Sequence, residues 1–439
     1  TTVEAIGGSA RDRGKNIFVL GLLTNLFGLN RKKLVTIIEA QFKRKHESVL
    51  RNAMLAFDSG YAYEIGQIHD HNYSFEPGAA EEGNRITTDG NTALTYGLLA
   101  AGVRYGAGYP ITPWSSIMET LRSELPKYGG IFIQSEDELA AIASTVGFAY
   151  AGHVAVTGSS GPGLSLKMEA LGYASMAELP LVVINVQRGG PSTGLPTSVE
   201  QSDLMQAIYG SHGDTPRVVI APKDVEDCYH TAIEACHIAK EFSTPVIILT
   251  DQSLATRIEA FPEPDLSDIS EPGLDIEPRG EEFLPYPLES ETKHAPPGTK
   301  MLNGKYPVVT GLEHDEWGHP SSNPELHQKM TNRRRNKLKR LASTLSAPEV
   351  YGPEEGEVLL IGWGSTWGPI REAVDTALKN EQQLSAIHLR HIHPMPDGID
   401  NIIEKFNKSI VIEMNDEGLY GYGQLATLLR ARYANPNIH

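Results

Sequence analysis

Between residues 88 and 250 short apolar runs alternate with stretches of helical periodicity, and this alternation limits the fold more than any other feature. Helical spacing over 93–104, 136–150, 164–178 and 225–242 is interrupted by apolar strands at 131–134, 154–157, 181–186 and 246–249. Repeated strand–helix–strand units imply right-handed crossovers and a parallel sheet covered on both faces. Ligands of such sheets gather beyond the carboxyl ends of the strands. A second alternation, with strands at 358–363, 384–389 and 410–413 and helices at 370–378, 402–406 and 424–433, predicts a smaller α/β domain whose edge one more strand and helix would normally seal. The expected class is α/β, with two doubly wound parallel-sheet domains preceded by a short helical segment.

The chain divides by pattern into 1–65, 80–258, 259–353 and 354–439. With 439 residues, 40% of them hydrophobic, it is long enough for two or three cores. In the first segment Leu34, Ile37, Ile38 and Phe42, then Leu50, Met54, Leu55 and Phe57, recur at helical spacing. Its abrupt beginning reads as the tail of a longer domain. The apolar stretch 17–29, followed by Arg31-Lys32-Lys33, is too short to span a bilayer and lacks a small-x-small cleavage site, so it reads as a core helix of a cytoplasmic protein. The segment 259–353, crowded with proline and acid, reads as an extended connector. It ends in a basic run, 329–340, which reads as a solvated helix face in preference to a docking patch for an anionic coenzyme tail or an acidic electron carrier.

A formal charge of −17 argues against general nucleic-acid binding, so an anionic ligand needs a local basic pocket. Cys228 and Cys236 fall on different turns of one expected helix and cannot easily bridge. Two thiols also fall short of the four that an iron–sulfur cluster normally takes.

Five features fall on loops after strands or at helix starts. In Tyr109-Pro110-Ile111-Thr112-Pro113 two prolines fix the backbone and present the Thr112 hydroxyl at a helix start, where it can hold a carboxylate, cap the helix, or both. In Gln134-Ser135-Glu136-Asp137-Glu138 the macrodipole accounts for Glu136 and Asp137. Glu138 stands apart: small residues at Ala140, Ala141, Ala143 and Gly147 let its helix approach a flat ligand or another subunit, and a buried glutamate can exchange a proton with a heteroaromatic ring nitrogen. The loops Thr157-Gly158-Ser159-Ser160-Gly161-Pro162-Gly163 and Arg188-Gly189-Gly190-Pro191-Ser192-Thr193-Gly194-Leu195-Pro196-Thr197 each bring backbone N–H groups near a ligand. Neither matches a dinucleotide fingerprint or a Walker loop. Arg188 suits a substrate carboxylate, because its planar fork pairs two oxygens. The fifth, Gly311-Leu312-Glu313-His314-Asp315-Glu316, sets carboxylates beside histidine, but their adjacency aims the ligands apart, so no metal is expected there.

With these motifs in this order, nearly the whole chain resembles the α subunit of a 2-oxoacid:ferredoxin oxidoreductase, most like the 2-oxoglutarate type. The resemblance implies a pyrimidine-type thiamine-diphosphate domain over 80–258 and a transketolase C-terminal-like domain over 354–439. It makes 1–65, with Asn52 and Gly60-Tyr61, similar to the end of a fused γ domain. It implies that Glu138 contacts the aminopyrimidine ring, with Tyr109, Pro110 and Ile111 beside the cofactor, that Thr112 and Arg188 hold the 2-oxoacid carboxylate, and that Thr197 lines that pocket. The implied reaction is coenzyme-A-dependent oxidative decarboxylation with electrons passed to ferredoxin. Thiamine diphosphate would be shared with a β subunit carrying Mg2+ and a [4Fe-4S] cluster, in an α2β2 or (αβ)2 assembly. Two alternatives stand: the pyruvate or branched-chain version of the same enzyme, and a non-catalytic nucleotide-binding module, which leaves Glu138 and the Tyr109–Pro113 motif unexplained.

Overall fold

The structure, a computed structural model, describes residues 14–64, 83–267, 274–290, 292–418 and 421–439. The ends of the expected segment 1–65, the start of 80–258, and residues 268–273 and 291 of the connector lie outside the described residues. The chain forms two compact units, 1–83 and 84–439.

In the first unit the helices are α1 (Lys15–Leu26), α2 (Arg31–Phe42) and α3 (Glu47–Tyr61). They bury Ile38, Ala53 and Phe57. Helices α1 and α3 touch backbone to backbone: a side chain at Gly21 would strike the carbonyl of Phe57, and one at Gly60 that of Phe18. The pair of glycines thus sets the crossing distance.

The second unit runs β1 (Arg85–Asp89), α4 (Gly90–Ala100), β2 (Tyr105–Gly108), α5 (Ser115–Glu124), β3 (Ile131–Gln134), α6 (Glu138–Tyr150), β4 (Ala155–Ser159), α7 (Gly161–Met176), β5 (Leu181–Gln187), α8 (Leu204–Tyr209), β6 (Val218–Ile220), α9 (Val225–Phe242), β7 (Pro245–Asp251), α10 (Gln252–Thr256), β8 (Ile258–Pro262), α11 (Pro324–Thr344), β9 (Gly356–Gly362), α12 (Trp367–Lys379), β10 (Leu384–His388), β11 (His391–His393), α13 (Ile399–Ile403), β12 (Phe406–Ile412) and α14 (Gln424–Tyr433). The main sheet has the order β11-β6-β7-β5-β4-β2-β3 and is parallel except for β11. A second sheet, β10-β9-β12, is parallel throughout, and β1 pairs with β8 as a separate antiparallel ribbon.

The α/β class holds, with refinements. Strand β11 leaves the second alternation and pairs with β6, sealing the edge of the main sheet. Leu359, Ile361 and Trp363 of the C-terminal part share one apolar core with Leu181, Val183 and Leu171. Sequence periodicity did not show β2: Tyr105-Gly106-Ala107-Gly108 has no β-branched residue, yet it lies inside the sheet. Its glycines leave room for neighbours, since a Cβ on Gly106 would stand 2.9 Å from both Phe132 and Val156.

The basic run needs correction. Residues 324–344 form one continuous helix, α11, started by Pro324 after the Asn323 cap, and three of its seven Lys and Arg side chains, Arg333, Arg334 and Lys337, are buried. Buried Arg333 and Lys337 both pair with buried Glu178, while Arg334 makes a two-pronged bridge to Glu313 at 3.1 and 2.9 Å. A run read as solvated instead carries the charges that neutralise two internal carboxylates. Glu313 also takes the His327 ring at 2.5 Å, and Asp315 accepts the backbone N–H groups of Trp317 and His319. The Gly311–Glu316 motif is therefore occupied in tying the connector to α11.

Candidate active site

All the parallel strands of the main sheet end at one edge, and the loops leaving β2, β3, β4 and β5 meet there. Strand β3 is followed by Asp137, whose carboxylate caps α6 by accepting the Ala140 N–H at 2.7 Å. The cap leaves Glu138 as the first helical residue, buried at 7% exposure. Its carboxylate accepts no hydrogen bond from any described residue. Instead the side chain lies against Gly163 on the first turn of α7: a Cβ there would stand 2.5 Å from Glu138 Oε1 and would run into the Ser159 hydroxyl. Glycine at 163 is a steric condition for the position of Glu138.

One residue at this site carried no motif. Lys167, fully buried on α7, donates to the backbone carbonyl of Glu138 at 3.1 Å. Burial pushes its pKa down to about 8, against the upward pull of Glu138 and Asp137. Lys167 shares an apolar helix face with Leu164 and Leu171, and a lysine on a core-facing stripe is the signal that would have revealed it.

After β2, the peptide Thr112-Pro113 is cis, and α5 begins only at Ser115 with no side-chain cap. This corrects the capping role expected of Thr112. The Thr112 side chain is exposed, as are Tyr109 and Pro110, and Ile111 is half-buried. Buried Trp114 packs under this loop and over Gly158, where any side chain would run into the indole ring.

Arg188 follows β5 and reaches the Thr112 loop. Its guanidinium donates to the carbonyls of Thr112 and Thr193, both at 2.7 Å, while its Nε is buried without a partner. The structure thus joins Thr112 and Arg188, and it does so through the Thr112 backbone. Thr197 lies farther along the same loop, exposed. The loop itself is pinned: Gln201 exchanges hydrogen bonds with Met414, and Gln424 binds Ser202 and Met205. Behind Arg188, Asp203 accepts from Asn185 at 2.8 Å, and burial raises its pKa. Gly147 has open space where a Cβ would stand, so no close approach within this chain requires it.

The hydroxyls of Ser135, Ser159 and Ser160 are buried at this edge without partners. A carboxylate with free acceptor capacity, a glycine wall beside it and, at the same sheet edge, an arginine bonded to no carboxylate fit a flat, nitrogenous cofactor and an anionic substrate. Replacing Gly163 with alanine should displace Glu138 and lower turnover at least tenfold, with destabilisation of about 1–3 kcal/mol from overpacking. Steady-state rates and chemical denaturation check this, and unchanged turnover would separate Gly163 from the site.

Fold and site together define a thiamine-diphosphate-binding domain of the oxidoreductase type. The family described as pyruvate flavodoxin/ferredoxin oxidoreductase, thiamine diP-bdg, matches residues 96–333. The 2-oxoglutarate oxidoreductase subunit KorA of Mycobacterium tuberculosis is 39% identical over 98% of this chain, which spans 66% of that relative's length. The 2-oxoglutarate synthase subunit KorA of Methanothermobacter thermautotrophicus is 37% identical over 74% of this chain and 86% of its own. The structure of the 2-oxoglutarate:ferredoxin oxidoreductase from Magnetococcus marinus, with 2-oxoglutarate, coenzyme A and succinyl-CoA bound, superimposes with a TM-score of 0.86 at 36% identity, covering 100% of this chain and 75% of that one. The chain belongs to the KorA-type α-subunit family of 2-oxoacid:ferredoxin oxidoreductases.

Proposed function

We propose that this chain is the α subunit of a 2-oxoglutarate:ferredoxin oxidoreductase and supplies the aminopyrimidine half of its thiamine-diphosphate site. The observation that carries the reading is the Glu138 carboxylate, set by the Asp137 cap and the Gly163 wall at the carboxyl edge of the sheet. When bound, thiamine diphosphate supplies the carbon nucleophile and the electron sink that decarboxylation requires. Glu138 holds and moves a proton at a pyrimidine ring nitrogen, next to Tyr109, Pro110 and Ile111. Arg188 holds the 2-oxoacid carboxylate, with Thr112 and Thr197 on the same loops. Its charge is buried, and no carboxylate bonds to it among the described residues, so an incoming carboxylate finds a prepared partner.

The reading assigns acyl transfer to coenzyme A and the electrons to ferredoxin. Mg2+ and a [4Fe-4S] cluster fall to a β subunit, consistent with the burial of both cysteines on α9, and the assembly is read as α2β2 or (αβ)2. The three-helix unit is read as the end of a γ domain. Support for 2-oxoglutarate over pyruvate or branched 2-oxoacids comes from the names of the relatives. A turnover panel on the αβ assembly tests it: 2-oxoglutarate should give the highest kcat/KM, and a higher value for pyruvate would overturn the substrate assignment. Arg188→Ala should raise KM for the 2-oxoacid at least tenfold, as expected when about 1.5–3 kcal/mol of charge-assisted hydrogen bonding is lost. An unchanged KM would remove Arg188 from the substrate pocket.

A further inference from the structure

Two further cations of α11, Arg335 and Lys339, face a second site. Thr331, Arg335, Leu338, Lys339 and Ala342 form one stripe of the helix and wall a cavity of about 660 Å³, within the span of roughly 300–1,000 Å³ usual for ligand pockets. The facing walls are the loop 213–216, the stretch 393–395 at the end of β11, and Arg432 of α14. The loop 213–216 enters β6, so this cavity lies at the amino end of the parallel sheet, opposite the edge that carries Glu138.

Its charge is unlike that of the rest of the chain. Arg335, Lys339 and Arg432 line it against Asp214 and Asp397, an excess of cations in a molecule of net charge −17. Behind the wall is Arg217, fully buried, which bonds Gly210, Ser211 and Met168 and no carboxylate. Burial, with Arg432 and Arg217 adding to it, pushes His393 down to about 4, so this lining imidazole is neutral and can donate or accept. Ile208, Pro216, Leu338 and Met395 supply an apolar wall.

We propose that this cavity binds a nucleoside phosphate. Arg335, Lys339 and Arg432 take the phosphates, the apolar wall takes the base, and Asp214 and Asp397 accept from its hydroxyl or amino groups. A bare inorganic anion leaves the two carboxylates and the apolar wall unused.

Calorimetric titration of ADP, adenosine and inorganic phosphate into the intact αβ assembly tests this. ADP should bind once per chain, more tightly than either fragment, and coenzyme A should not displace it. Arg335→Gln with Lys339→Gln should weaken ADP by at least about tenfold, equivalent to about 1.4 kcal/mol, and leave KM for coenzyme A unchanged. Both side chains are exposed, so folding does not depend on them. No ADP binding, binding indifferent to the double substitution, displacement by coenzyme A, or phosphate binding as tightly as ADP would each overturn the proposal.

Discussion

Glu138→Gln should lower the turnover of the αβ assembly by about a thousandfold, within the 10²–10⁴ range typical of a lost general acid–base group. The amide has nearly the shape of the carboxylate, and Gly163 leaves the same space for it. The Asp137 cap and the Lys167 bond to the Glu138 backbone involve no Glu138 carboxylate oxygen, so α6 should remain in place. What the variant loses is the ability to take up and return a proton at the ring. Assembly size and thermal midpoint should match those of the wild type while kcat falls. Turnover within about threefold of wild type would remove Glu138 from the chemistry.

The second large effect concerns stability. Glu178 is fully enclosed with Arg333 and Lys337; Arg333 also donates to the Pro287 carbonyl at 2.6 Å and Lys337 to that of Phe242 at 3.0 Å. Burial alone would raise the Glu178 carboxyl, but Lys337 and Arg333, with their hydrogen bonds, outweigh it and hold its pKa below the ordinary value of 4.5. Removing one partner of a buried pair strands the others, which costs about 3–5 kcal/mol. Glu178→Ala should therefore lower the urea midpoint by that equivalent with an unchanged slope. Alanine keeps the Cβ, so the positive φ of 52° at this position is equally strained in both chains. Because the folded-state pKa is lowered, the stabilisation is complete above the unfolded value and is lost as pH falls through the folded one. Glu178→Ala should accordingly flatten the loss of stability below about pH 4.5. A midpoint shift below 1 kcal/mol would show that the triad is dispensable.

The parallel sheet was legible because its strands at 154–157, 181–186 and 246–249 are buried on both faces and so are almost wholly apolar, while the edge strand at 131–134, with only Phe132 buried, still carries three apolar residues in a row. What escaped depends on contacts distant in sequence. Strand β2 is a strand because Phe132, Val156 and Trp114 fill the space its glycines leave. The three-residue β11 is held by pairing with β6, about 170 residues earlier. The inward turn of Arg333 and Lys337 is decided by Glu178, which shows no pairing signal in its own segment. At the site, Glu138 and Arg188 stood out because each follows a strand and opens a loop or helix. The use of the Thr112 backbone by Arg188 and the place of Lys167 under Glu138 were visible only in three dimensions.

Proton transfer by Glu138 is measured most directly by the exchange of the thiazolium C2 proton of bound thiamine diphosphate with deuterated water. Followed by quenched-flow NMR on the intact assembly, exchange should slow at least about a hundredfold in Glu138→Gln relative to wild type. Equal exchange rates in the two assemblies, with thiamine diphosphate bound in both, would contradict the assignment of the activating carboxylate to this chain.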